Sequence, residues 1–182
     1  PRLISTISPA VAKAAMESGV ADIEITDWEK YANDLQERLG GDNKIVKLLT
    51  NRAKTEPKTI VFAEADQLDV LKAAQIVHEE GIGIPILLGN IEIIQELKEE
   101  IGFDADLKII DPKSKDENKT REKYAQYFWK TRQRRGTSLL DAQKWMRERN
   151  YFAAMMVNAG DADCMVTGYS RSYPNVVKPV ME

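Results

Sequence analysis

Residues 59–89 read TIVFAEADQLDVLKAAQIVHEEGIGIPILLG, and this stretch decides the fold. Its opening, 59–65, is a short apolar run with β-branched residues, which reads as a buried strand. The period then changes. Over 66–81, Val70, Leu71, Ala73, Ala74 and Val77 fall on one face of a helix. Residues 84–89 form a second apolar run that stops at Gly89. Neither strand alternates apolar with polar, as expected where both faces are covered, so the pattern predicts parallel strands joined by a crossover helix.

Working outward, the alternation continues. A helix over 90–102, capped by Asn90 and ended by Gly102, leads to a third strand over 107–112. Two helical runs, 117–135 and 138–149, are parted at Gly136, with Ser138 as cap of the second. An apolar helix over 151–162 and a fourth strand over 163–168 follow. Upstream the character differs. Residues 9–18 read as a helix with Ser8 as cap, Pro9 at the first position and Gly19 as stop. Residues 27–39 read as another, capped by Asp27, with Trp28, Tyr31, Leu35 and Leu39 on one face and Gly40-Gly41 at its end. A third short helix falls over 43–54, and KTEPK at 54–58 reads as a linker. The expectation is a helical segment over 1–53 and, over 54–182, a three-layer α/β/α domain with a mostly parallel sheet.

Composition narrows the function classes. Of 182 residues, 43% are apolar and 30% charged, with a net charge of −3, so there is no basic footprint for nucleic acid. No apolar run is long enough to span a membrane. The single cysteine, Cys164, falls in an apolar run that predicts a buried, inert thiol, and it fits a reducing, cytoplasmic compartment. His78 lies beside Glu79 and Glu80 with no second histidine, so no metal site is expected. Neither a Walker loop nor G-x-G-x-x-G occurs.

In open parallel sheets, ligands sit beyond the carboxyl ends of the strands. The fourth such end, 168–178, is the richest: Gly168 allows close backbone approach, Ser170 and Ser172 offer hydroxyls, Arg171 a forked cation, and a helix begins just after. It reads either as a phosphate or carboxylate holder or as an ordinary strand-to-helix turn. At the first end, Glu64 and Asp66 could do acid–base work, while Asp66 alone reads as the cap of the following helix. The basic run KTRQRRG at 130–136 suits a helix C-terminus, or a polyphosphate tail. Tyr124, Tyr127, Phe128, Trp129 and Trp145, at helical spacing, read as core or interface.

Two stretches carry a resemblance. Residues 59–94 and GDADCMVTGYSRSYPNVVKPV at 160–180 resemble the opening of a phosphotransacetylase domain, a family within the phosphate acetyl/butyryl transferases. PRLISTISPAVAKAAMESGVA at the start resembles the end of the malic-enzyme domain in large bacterial NADP-dependent malic enzymes. The resemblance implies the first half of a phosphotransacetylase fold, of the isocitrate/isopropylmalate dehydrogenase type, joined to the tail of a malic-enzyme domain. It also implies a chain cut from a longer protein, whose other domain would hold NADP and a divalent Mg or Mn ion to decarboxylate malate to pyruvate, with neither bound here. Acetyl-CoA or a related small molecule, and other copies of the same chain, are the implied partners. The ligand residues it points to are Glu64, Gly168, Ser170, Arg171, Ser172 and Lys178. Departures from the family pattern, Lys178 for Arg, Ala65 for Gly and Asp69 for Arg, remove cations and a glycine from an anion corner. That favours a regulatory and oligomerising domain; the alternative is a working acetyltransferase between phosphate and coenzyme A.

Overall fold

A computed structural model of the chain describes residues 2–38 and 44–182. The chain divides between Asn51 and Arg52 into two units. The first holds helices α1 (Arg2–Glu17), α2 (Trp28–Arg38) and the start of α3 (Lys44–Thr55). Asp27 caps α2 as expected, its Oδ1 accepting from the Lys30 amide at 2.9 Å. Trp28 and Tyr31 pack edge to face 5.9 Å apart, and Lys13 lies 5.2 Å over the Trp28 ring. The expected start of α1 is corrected: the helix begins well before Ser8, so Pro9 lies inside it rather than at its first position. The expected end of α2 at Leu39 and Gly40-Gly41 lies outside the described residues.

In the second unit the order is β1 (Lys58–Phe62), α4 (Leu68–Glu79), β2 (Gly83–Leu88), α5 (Ile91–Glu100), β3 (Lys108–Ile110), α6 (Asn118–Arg132), α7 (Leu139–Trp145), α8 (Arg149–Asn158), β4 (Cys164–Val166) and α9 (Tyr173–Met181). All three strand pairings are parallel, in the order β3-β2-β1-β4. The chain therefore steps outward from β1 through β2 to β3, then returns to the other side of β1. Right-handed crossovers place the helices of the outward path on one face and those of the return on the other. The two cores confirm it. Phe62 and Leu87 pack with Leu71 and Ala74 of α4 and Ile94 of α5. Val61, Ala63, Ile86, Leu88 and Ile110 pack with Tyr124 and Phe128 of α6, Ala142 of α7 and Phe152 of α8. Alternate strand residues thus serve opposite layers, which is why the strands read as continuous apolar runs. Each fully buried large side chain contributes about 2 kcal/mol.

Between α6 and α7 a 3₁₀ turn over Gln133–Arg135 ends at Gly136, whose φ of 90° is left-handed. Ser138 then forms a capping box with Asp141. Close packing explains another glycine: a Cβ on Gly83 would lie 2.7 Å from Ile60 Cδ1 and 2.9 Å from the Lys58 carbonyl oxygen. Two further expectations are corrected. Asp66 does not cap α4; Gln67 holds that position and makes no side-chain bond. Cys164 is exposed, not buried, because β4 lies at the edge of the sheet and, among the described residues, pairs with β1 alone.

Candidate functional site

The order of the sheet reverses between β1 and β4, so their carboxyl ends mark the point where doubly wound folds open a crevice. Beyond Phe62 the backbone stays pinned on both sides. The Ala63 amide donates to the Val166 carbonyl at 3.0 Å, and the Ala65 amide to the Leu88 carbonyl at 3.1 Å. Glu64, between them, is only 1% exposed.

That buried carboxylate is where the anion-ready corner finds its anion. The amides of Gly168 and Tyr169 donate to Glu64 Oε1 at 2.7 and 3.0 Å. The Ser170 amide donates to Oε2 at 2.8 Å, and the Ser170 hydroxyl donates to the same oxygen. Thr167 Oγ1 lies 3.2 Å from Oε1 and 2.8 Å from Asn150 Oδ1, so its one proton serves either acceptor. Gly168, with φ of 105°, gives the backbone the turn that aims successive N–H groups at one point. Burial pushes the Glu64 carboxyl pKa up, but the Ser170 hydroxyl and the amides of Gly168, Ser170 and Tyr169 outweigh it and bring it down to about 2. The corner built by 168–170 is an oxyanion cradle, and the chain fills it with its own side chain.

The expected ligand residues separate into three places. Glu64, Gly168 and Ser170 meet in the cradle. Ser172 holds the N-cap position of α9 without a side-chain bond, and Arg171 lines a different recess beside Gly89 and Asp111. Lys178 lies toward the far end of α9, with its Nζ 3.8 Å from Glu182 Oε1 and 5.8 Å over the Trp145 ring. A cleft of about 330 Å³ opens beside the cradle, lined by Phe62, Asp69, Val70, Ala73, Val166 and Tyr169. The Tyr169 hydroxyl donates to Asp69 across its mouth.

Sequence reasoning missed Arg149, which grips Asp66 in two parallel bonds of 2.6 and 2.8 Å. Its pKa is raised, chiefly by the bonds to Asp66 against the effect of burial. A local signal existed: a cation in the first turn of α8 opposes the helix dipole and needs a counter-charge. Asn150 had no such signal; it is 6% exposed and ties the cradle to α9 by donating from Nδ2 to the Asn175 carbonyl at 3.2 Å. The aromatics divide: Tyr124 and Phe128 are buried, whereas Tyr127 is 52% exposed. Among the described residues, no three His, Cys, Asp or Glu side chains converge as a metal site.

A doubly wound parallel sheet with a donor-lined corner at its switch point places the chain among the open-sheet α/β proteins. Residues 44–182 match the phosphate acetyl/butaryl transferase family, and the chain belongs to it. It is 37% identical over 181 residues to an NADP-dependent malic enzyme of Rhizobium meliloti, a match covering 99% of the chain and 24% of that protein. It is 33% identical to a phosphate acetyltransferase of Thermoanaerobacterium thermosaccharolyticum, over 76% of the chain and 41% of that protein. A crystal structure of a phosphotransacetylase from Streptococcus pyogenes superposes with a TM-score of 0.66 at 32% identity, covering 77% of the chain and 42% of that protein. The chain thus spans about a quarter of the length of the malic enzymes it matches.

Proposed function

We propose that this chain is a segment of an NADP-dependent malic enzyme and forms part of a regulatory, self-associating domain that responds to acetyl-CoA without transferring acetyl groups. Two kinds of support converge. Malic enzymes match nearly the whole chain, including the helices before residue 44, whereas the phosphate acetyltransferases match about three quarters of it. The single observation that carries the regulatory reading is the filled cradle. Its three amides and a hydroxyl, which could hold a reacting oxyanion, are spent on Glu64. An incoming acyl phosphate would have to displace a buried carboxylate and leave it without its donors, at a cost of several kcal/mol.

In the proposed whole protein, NADP and a divalent Mg or Mn ion would do the malate chemistry in the other domain. In this reading the role of this chain is recognition and assembly. Exposed apolar groups at the cleft, Val166 at the end of β4 at 49% and Tyr169 beyond it at 58%, give a further segment or copy something to cover. Sedimentation of the chain at increasing concentration should show association; a strict monomer throughout would count against that part.

The deciding experiment measures two activities of one preparation, the polypeptide carrying this chain together with its malic-enzyme domain. Acetyl-CoA is expected to shift the rate of malate oxidation, with no acetyl phosphate formed from acetyl-CoA and phosphate. Acetyl phosphate formed at an enzymatic rate would instead establish the acetyltransferase alternative, for which the likeness to phosphotransacetylases speaks.

A further inference from the structure

Helix α9 carries a proline, Pro179, inside its run. Proline has no N–H for the carbonyl four residues earlier, and its ring pushes that carbonyl aside. The carbonyl so released is that of Asn175, and it finds another donor. Asn150 Nδ2, from the first turn of α8, donates to it at 3.2 Å. That bond fixes the Asn150 amide: only its NH2 can donate, so Oδ1 must face the other way. There Oδ1 lies 2.8 Å from Thr167 Oγ1. Glu64 Oε1 already accepts the Gly168 and Tyr169 amides at 2.7 and 3.0 Å, whereas among the described residues Thr167 alone reaches Asn150 Oδ1. The Thr167 proton is therefore better used on Asn150. An unbroken line of contacts runs from the Glu64 cradle through Thr167 and Asn150 to α9.

Asn150 is 6% exposed, so neither end of its amide can be left without a partner at no cost. Thr167 directly precedes the three residues whose amides Glu64 holds. Release of Glu64 frees that loop, withdraws the hydroxyl from Asn150 and weakens the grip on Asn175. We infer that Asn150 is a positioning residue that couples helix α9 to the state of the Glu64 cradle, by carrying the Thr167 bond on to the carbonyl that Pro179 leaves open. The same helix gives the coupling a destination. Pro179 and Val180, with Arg132, Tyr151 and Met155, line a cavity of about 280 Å³. A cradle opened by a ligand loosens that wall, and by reciprocity a group seated in the cavity steadies the cradle. The coupling needs no commitment to acetyl-CoA as the molecule that frees Glu64, so it can fail while the regulatory reading stands.

Hydrogen exchange followed by NMR on the 182-residue chain tests it, read at the α9 amides of Val177, Lys178 and Val180, with the α4 amides of Leu71 and Ala74 as internal reference. E64Q perturbs the cradle. It is made in three backgrounds: wild type, N150L, which removes the coupler, and P179A, which returns to the Asn175 carbonyl an N–H of its own helix. In the wild-type background E64Q should speed α9 exchange about tenfold beyond any change at α4. In N150L and in P179A the same step should change it by less than about twofold. A role of Asn150 in stability alone would move α4 and α9 together and leave the E64Q step the same in every background. Where N150L does not fold, P179A decides, since it breaks the line from its other end. An E64Q step at α9 no larger than at α4 in the wild-type background would overturn the inference. So would a step that persists undiminished in P179A, or in a folded N150L.

Discussion

Replacing Glu64 by glutamine probes the cradle with one atom changed. Glutamine keeps the shape but turns one acceptor oxygen into an NH2 group, which must face an N–H of Gly168, Tyr169 or Ser170. Glu64 is 1% exposed, so solvent does not screen the loss. The size follows from linkage. The carboxyl pKa falls from 4.5 to about 2 on folding, a drop of roughly 2.5 units, or about 3 kcal/mol of stability in the ionised form. The sign is that of a depressed acid: the contribution is complete above about pH 5 and disappears as pH falls from about 4.5 through about 2. Urea unfolding of wild type and E64Q should therefore differ by about 3 kcal/mol at about pH 7 and by about 1 kcal/mol at about pH 3. At neutral pH the variant should melt about 10 °C lower. A gap below about 1 kcal/mol at neutral pH, or one equal at both pH values, would refute the reasoning.

Other perturbations test the remaining supports. A double-mutant cycle on D66A and R149A should give a coupling of about 2 kcal/mol, since both groups are mostly buried; a coupling near zero would show that the pair orders nothing. F152A, which empties a fully buried position against Tyr124, should cost about 4 kcal/mol by urea unfolding. G83A should destabilise the β1–β2 pair by more than about 1 kcal/mol, because one clash is with backbone oxygen of Lys58. Cys164 should react with a thiol reagent in the native chain without unfolding, though slowly at neutral pH, because partial burial and Asp163 raise its pKa.

The architecture of the second unit was legible because it rests on local periodicity. Val61 and Phe62 face opposite layers, and so do Leu87 and Leu88, which makes β1 and β2 continuous apolar runs between helices with one apolar stripe. Caps that depend on three or four neighbouring residues were legible for the same reason, as Asn90, Ser138 and Asp27 show. What could not be read locally is who pairs with whom across the fold. Asp66 carries the ordinary credentials of a cap, but Arg149, 83 residues away, offers a forked counter-charge and wins it. Cys164 sits in an apolar run like those of the central strands, yet burial of a strand depends on its neighbours, and among the described residues β4 has only one. The loop at 168–172 displayed its donors in the sequence, but the acceptor that satisfies them lies 104 residues earlier, at Glu64. Of the residues expected as ligands, Glu64, Gly168 and Ser170 meet and bind one another, whereas Arg171, Ser172 and Lys178 lie apart from them.

The claim on which the rest turns is that Glu64 is the internal anion of the switch-point cradle, and its own titration tests this most directly. Carbon-13 NMR of the Glu64 side-chain carboxyl, followed from neutral pH downward, should show it ionised at about pH 4, where an ordinary glutamate is mostly protonated. Its midpoint should fall near about 2, with the amide protons of Gly168 and Ser170 moving in step. A midpoint at the ordinary 4.5, with those amides indifferent to it, would contradict the account.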